Sequence, residues 1–372
     1  MKFTCYTQDI RDALKFAVKC AATKPIIQIL SAVKLTADDG KLTLETTDNT
    51  SAAQVAIPVN AEETGSAAVD AKFLFNVICK LDGDTITFDD ASGMLGIQSE
   101  GAHFNLNTFN ADDYPKTNFD CPVAVNVRST VLKNLIRQSV FAASKSLDRP
   151  LFQSVNLRTE GTDYEMFLTA TATNAERLSF NKTPIGNDQH GAIFDANIPA
   201  ATLKILATEL PADVEDFVTL CTDERCVVAK INNIMFKTRL LEGEFPDIMR
   251  LLEIERPVVA KVKTAELKAA LNRINLISRD SEYKAVKFCL AGNILRVCAT
   301  DNNHGSAEEF IETVTDEDHD LTIAFAIHYL LDFLNATDDA EIEMRFKSNI
   351  DSAQFVGVSN PFNTYIVTPV RA

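Results

Sequence analysis

No stretch of these 372 residues is long and apolar enough to cross a bilayer, so no transmembrane helix is expected. MKFTCYTQDIRDAL carries charges where an export signal needs its apolar core, which makes a cytoplasmic location the expectation. No P-loop, no GxGxxG opening a helix, no HExxH and no GxSxG occurs, which argues against the commonest catalytic sites. The five histidines (His103, His190, His304, His319, His328) are scattered, with no second ligand at helical spacing. None of the eight cysteines forms a CxxC pair, and the nearest two, Cys221 and Cys226, have no neighbouring histidine. They are expected to be buried small hydrophobes, with no disulfide, metal or cofactor. Net positive charge is missing as well. The formal charge of −16 favours solubility and opposes tight generic binding of nucleic acid if it is evenly spread.

What is present is a long repeat. Residues 125–141, VNVRSTVLKNLIRQSVF, read as a short strand and then an amphipathic helix, with Ser129 as N-cap and Leu132, Leu135, Ile136 and Val140 on one face. FTCYTQDIRDALKFAV repeats the pattern, with Thr7 as cap and Ile10, Ala13, Leu14, Ala17 and Val18 as the stripe. KVKTAELKAALNRI repeats it again, with Thr264 as cap and Leu267, Ala270, Leu271 and Ile274. Each third carries a second such helix, in DAKFLFNVICKL, PAATLKILATEL and AIHYLLDFLNAT. Between the helices apolar residues alternate, and hairpin turns are expected at Asp39-Gly40, near Gly161 and at Gly292-Asn293. Each hairpin ends in a polar corner: Thr47-Asp48-Asn49, Thr173-Asn174-Ala175 or Thr300-Asp301-Asn302. So long a period means three copies of a domain. The boundaries expected are 1–121, 122–254 and 255–372, with Glu255-Arg256-Pro257 as a short polar linker. The fold class expected is α+β, with three similar domains, each of two helices on antiparallel sheets.

Acidic pairs such as Asp89-Asp90, Asp112-Asp113 and Asp338-Asp339 read as solvated loops. Asp301 with Asp316, Glu317 and Asp318 could be offered as a Mg²⁺ site, but no apolar strand fixes them. A metal-dependent nucleotide-handling enzyme is thus one alternative, and a peptide-binding adaptor that never meets DNA is another. The bases say more. Arg11, Lys15 and Lys19 mark the first helix, Lys133 and Arg137 its second copy, and Lys268 and Arg273 its third; Lys72 and Lys204 lie on the other helices. On one helix they would simply cover a solvated face. Recurring through three repeats of an acidic chain, they point to a positive surface for double-stranded DNA, bound without sequence readout.

The opening MKFT, PIIQIL after Lys24, ATNAERLS at 172–179, GEFPD at 243–247, YLLDFLNA at 329–336 and the closing TPVRA resemble, over the full length, the bacterial DNA polymerase III β subunits, the sliding clamps. The resemblance implies the DNA-clamp fold, closed as a ring-shaped head-to-tail homodimer with helices lining the hole. It implies a non-catalytic processivity subunit that encircles duplex DNA and tethers the replicative DNA polymerase alpha subunit. The clamp loader, repair polymerases and other proteins would dock through a short clamp-binding motif, with no membrane involved. Lys24 and Arg149 join the DNA-binding set. A partner-peptide pocket is implied at Phe152, Thr173, Ala175, Arg177, Leu178, Pro246, Arg250, Leu251, Tyr329, Ser352, Ile366, Thr368, Pro369, Val370 and Arg371. A dimer interface is implied at Phe104 and Leu106 against Leu276 and Ile277; domain core is the competing reading of the Phe104 and Leu106 face. The chain departs from the family at Ala175-Glu176, where Gly-His is usual, and at Thr368-Pro369-Val370, where methionines usually flank the proline. Partner preference is where a difference is expected.

Overall fold

The computed structural model describes residues 1–90, 93–162, 165–186, 193–211, 216–278, 284–315 and 320–371. Among these the fold is α+β, with four antiparallel sheets and seven α-helices. The helices are α1 (Thr7–Ala17), α2 (Ala71–Ile78), α3 (Ser129–Ser139), α4 (Ala200–Ala207), the single turn α5 (Met249–Leu252), α6 (Thr264–Ser278) and α7 (Ile327–Ala336). Among the described residues, no helix is long and apolar enough to cross a membrane. The apolar stripes are buried: Ile10, Ala13 and Leu14 on α1, Leu132, Leu135 and Ile136 on α3, and Leu267, Ala270, Leu271 and Ile274 on α6. Val18 and Val140 fall past the ends of α1 and α3 and are half-buried.

The three expected N-caps are corrected. Thr7, Ser129 and Thr264 are the first residues of their helices, because a strand runs directly into each of them. Their amides, left without an intrahelical partner, donate instead to carbonyls just past the second helix of the same repeat. The acceptors are Asp84, Asp216 and Ala340, at 2.9, 2.8 and 2.9 Å. The Thr7 and Ser129 hydroxyls also turn away, donating to the carbonyls of Gly83 at 2.6 Å and Pro211 at 2.9 Å. A true cap sits on α2, where Asp70 Oδ1 accepts from the Phe73 amide at 2.7 Å.

Two hairpin turns form where expected. Asp39 and Gly40, at φ +45° and +72°, join strands that pair Asp38 with Lys41. Gly292-Asn293 separates paired Ala291 and Ile294. Near the third, Gly161 is itself strand, opposite Met166, and the ladder closes one pair on, at Thr162 and Glu165; 163–164 lie outside the described residues.

The chain divides into two compact units, 1–130 with 208–240, and 131–207 with 241–372. The first holds a five-stranded sheet in the order Asn60–Glu63, Lys2–Tyr6, Thr85–Asp89, Met94–Ser99, Ala102–Asn107. Its eight-stranded sheet runs Val123–Arg128, Phe217–Thr222, Cys226–Ile231, Ile234–Arg239, Ser51–Pro58, Lys41–Thr47, Ala32–Asp38, Gly65–Asp70. The second unit holds a nine-stranded sheet in the order Asp195–Pro199, Ser154–Thr162, Glu165–Thr173, Arg177–Pro184, Thr364–Val367, Ala353–Gly357, Glu341–Phe346, Val258–Lys263, Val314–Thr315. Its four-stranded sheet runs Gly305–Glu312, Ile294–Asp301, Ala285–Ala291, Asp320–Ala326.

The sequence repeat explains this order. Each third supplies an opening half-sheet, made of its first strand and the three strands after its second helix. It also supplies a meander half-sheet, made of the strands between its helices apart from Asn60–Glu63 and Val314–Thr315, which edge the opening halves. The opening half of the second repeat joins the meander half of the first where Phe236 pairs with Ala53. The opening half of the third joins the meander half of the second where Ile366 pairs with Leu178. The outer edges of Ala102–Asn107 and Gly305–Glu312 carry no partner strand among the described residues.

Candidate functional site

The expected peptide groove lies in the second unit and begins at a polar corner. Thr173 Oγ1 donates to the Arg177 carbonyl at 2.7 Å, and Asn174 Oδ1 accepts the amides of Glu176 and Arg177 at 3.0 and 2.9 Å. This turn forces Ala175 to φ +77°, a left-handed conformation that costs a residue with a Cβ about 1 kcal/mol or more. It also aims the next two side chains. The Arg177 guanidinium is buried, bonded to Asp332 at 2.7 Å and to the Phe141 carbonyl, and lies 4.3 Å from the centre of the Tyr329 ring. The Tyr329 hydroxyl donates to the Glu176 carboxylate and accepts from Asn174 Nδ2 at 3.1 Å. Burial, and then the Glu176 carboxylate, push the Tyr329 phenol above its ordinary value. Burial and the Arg177 charge hold the His328 imidazole below its own.

The C-terminal segment is stitched to the same corner. Thr368 donates its amide and its hydroxyl to the Glu176 carbonyl at 2.9 and 3.0 Å, and the Val370 amide donates to Ala324 at 2.8 Å. Leu178 and Ile366 pack with Ile248, beside half-buried Phe180, Phe245 and Leu252. Pro246, Arg250 and Leu251 are exposed next to Ile248, while Pro369 is half-buried and Arg371 exposed. Phe152 is half-buried, its ring 5.7 Å from the Arg149 guanidinium. Ser352 is held by Arg256, which donates to its carbonyl at 3.0 Å and its hydroxyl at 3.2 Å. The polar-linker reading of Arg256 is therefore corrected: it is buried and also bonds the carbonyls of Ile254 and Leu251. Beside Pro246 a cleft of about 480 Å³ is walled by Phe180, Phe245, Ile248 and Met249 with Arg158 and Asp195, so of the expected residues it takes in Pro246 alone.

The bases divide into two kinds. Arg11 bonds the carbonyls of Ile78 and Leu81 at the end of α2, at 3.5 and 3.4 Å. Lys19 pairs with Glu209 at 3.1 Å, Arg137 bonds the Ala336 carbonyl at 2.6 Å and Asp338, and Arg273 grips Glu309 through two bonds of 2.6 Å. Lys15, Lys24, Lys72, Arg149 and Lys204 are exposed, and Lys268 is half-exposed; none of these six has an ion pair among the described residues. Lys133 is half-buried and takes part in further interactions.

At the expected joint, Phe104 is exposed on its edge strand, Leu276 is exposed and Ile277 half-buried at the end of α6. Leu106 is 7% exposed, so most of its surface is already covered within the single chain, as the core reading of that face has it. The solvated reading of Asp339 is corrected too, since it is buried and accepts the amides of Ser359 and Asn360 at 3.1 Å. Asp301 accepts the amides of Asn303 and His304, and Asp316, Glu317 and Asp318 lie outside the described residues.

Sequence models of the DNA polymerase III beta subunit match in three consecutive pieces: the N-terminal domain at 1–118, the central domain at 126–247 and the C-terminal domain at 249–371. The chain belongs to the DNA polymerase III β subunit family. The beta sliding clamp of Bacillus subtilis (strain 168) is 29% identical over 357 residues, 93% of each chain. That of Staphylococcus aureus is 25% identical over 383 aligned residues, covering 100% of this chain and 99% of its own. The crystal structure of the DNA polymerase sliding clamp from Bacillus subtilis superposes with a TM-score of 0.93 at 27% identity, over 100% of this chain and 99% of that one. The β subunit from the DNA polymerase of Streptococcus pyogenes shares the fold, with a TM-score of 0.92 at 24% identity and full coverage of both chains.

Proposed function

We propose that this family member is a non-catalytic sliding clamp, acting as a head-to-tail homodimeric ring around double-stranded DNA. The observation that carries this reading is the pairing of half-sheets. Three repeats supply three opening halves and three meander halves. Two of the pairings are made within the chain, while the opening half ending at Ala102–Asn107 and the meander half ending at Gly305–Glu312 keep open edges. A second copy offers each edge the partner it lacks, and two copies close the set under a twofold axis. Exposed Phe104 on one edge and exposed Phe310 on the other, with Leu276 and Ile277 at the end of α6, supply the apolar contact. This reading takes the domains as 1–121, 122–254 and 255–372, which gives each of them one half-sheet of each kind.

The helix lysines Lys15, Lys72, Lys204 and Lys268, with Lys24, Lys133 and Arg149, screen DNA phosphates without reading sequence. Arg11, Lys19, Arg137 and Arg273 serve packing first. Retention is topological, so a net charge of −16 is no obstacle. The apolar floor at Leu178 and Ile366, rimmed by Tyr329, Arg250, Leu251 and the C-terminal segment, takes the short motif of the replicative polymerase alpha subunit, the clamp loader and repair polymerases. Work of this kind belongs in the cytoplasm.

The test is retention on DNA after loading by a family clamp loader and gel filtration. The chain should stay with a covalently closed circle and be released when the circle is cut. Joint substitution of Lys15, Lys72, Lys204 and Lys268 by Glu should shorten retention and leave the mass unchanged. Equal retention on circular and linear DNA would contradict the topological reading. Removal of residues 368–372 should abolish binding of the polymerase peptide while leaving the ring closed; binding at full strength would remove the groove assignment.

A further inference from the structure

Among the described residues one turn is used four times. At Asp48, Asn174, Asp223 and Asp301 a single side-chain oxygen accepts the amides two and three residues on; at Asp223 the donors are Arg225 and Cys226, both at 2.7 Å. That leaves Asp223 Oδ2 spare, and at this corner it faces two thiols. Cys226 Sγ lies 3.2 Å away and Cys121 Sγ 4.0 Å, and the two sulfurs are 3.9 Å apart. A tetrahedral zinc ion, with bonds of about 2.3 Å to sulfur and 2.0 Å to oxygen, separates two thiolates by about 3.8 Å and a thiolate from an oxygen by about 3.5 Å. The two sulfurs already stand at that spacing, and the two sulfur-to-oxygen distances fall on either side of it.

We propose that Cys121, Asp223 and Cys226 form a site for one soft divalent cation of the zinc class, with water in the fourth position. Cys121 packs against the buried cluster of Phe119, Cys221 and Val228, and Cys226 is buried, while Asp223 is exposed and Cys121 half-exposed, so one side is apolar and the other open to solvent. Binding releases two thiol protons, and the ion then balances all but one of the charges of two thiolates and a carboxylate. The Lys237 ammonium, held on the Asn118 carbonyl at 2.6 Å, acts on Asp223 and offsets the remaining one. The consequence is mechanical. Cys121 belongs to the segment that leads out of the first repeat, and the ion would pin it to the 222–226 turn.

The test uses the reduced full chain and cobalt(II) as probe. One equivalent should give thiolate-to-cobalt charge-transfer bands and the visible bands of four-coordinate cobalt, bleached by zinc. Cys121→Ser and Asp223→Asn should each weaken cobalt binding about tenfold or more without lowering the metal-free melting midpoint; Asp223→Asn keeps the amide-accepting oxygen. No such bands in the wild type, or unchanged bands in Cys121→Ser, would overturn the proposal. So would a 121–226 disulfide in unreduced protein, where the thiol count would fall from eight to six.

Discussion

Two strands that end the opening half of a repeat meet opposite fates. At Thr364–Val367, Ile366 faces Leu178 across the ladder and the two are 4% and 3% exposed. At Ala102–Asn107 the outer edge has no ladder, and Phe104 is 38% exposed. The difference lies in which edges are taken, since both strands hold an apolar residue in the exposed-or-sealed position. An edge strand with an apolar side chain is a liability unless something covers it. The sealed seam shows what the open one is built to receive.

Breaking the sealed seam should have the largest effect. Leu178→Ala removes a buried side chain at the junction of two repeats and should cost about 3 kcal/mol of folding stability, read as a lower urea midpoint. An unchanged midpoint would mean that the seam is not part of a cooperative core. Breaking the open edge should instead cost association. Phe104→Glu sets a charge toward the partner strand that carries Glu308, Glu309 and Glu312, and should raise the dimer Kd on the order of 30-fold, about 2 kcal/mol. The monomer's unfolding midpoint should not move; a large drop there would make Phe104 a core residue.

Smaller effects sharpen the comparison at the corners. Ala175 (φ +77°) and Asn49 (φ +71°) hold the same place in two repeats, but asparagine tolerates that conformation better. Ala175→Gly should stabilise by about 1 kcal/mol, and Asn49→Gly by less, in parallel thermal melts. Equal shifts would show that the strain at Ala175 is relieved elsewhere. The smallest effect separates Asn174, which does not titrate, from Asp301. The amides of Asn303 and His304 hold the Asp301 carboxyl below its ordinary value, so its contribution is complete above the usual carboxylate range and fades as pH falls below it. Asp301→Asn should flatten that part of the acid limb; an unaltered limb would assign it to other carboxylates.

Periodicity made the helices, their buried stripes and the threefold repeat legible, because a period of 3.6 or 2 follows from local geometry alone. The caps were misread because the deciding carbonyl, Asp84 for Thr7, lies far along the chain. The seams were hidden for the same reason: strand Ser51–Pro58 completes its ladder with Ile234–Arg239. Arg256 looked like a linker charge, and only the approach of Ser352 makes it a buried brace. The Asn174 corner could be found from its Thr-Asn pattern. The meeting of Cys121 with Cys226 could not, since no spacing rule links residues so far apart. Bases were legible as a class, but which of them are spent on carbonyls and carboxylates depends on folding.

The central claim is that the Ala102–Asn107 and Gly305–Glu312 edges meet between two copies. Light scattering behind a sizing column tests it most directly. The account predicts a particle of twice the 40.9 kDa chain mass at micromolar concentration, falling toward one chain on dilution of Phe104→Glu. A wild-type particle of 40.9 kDa at that concentration would contradict it.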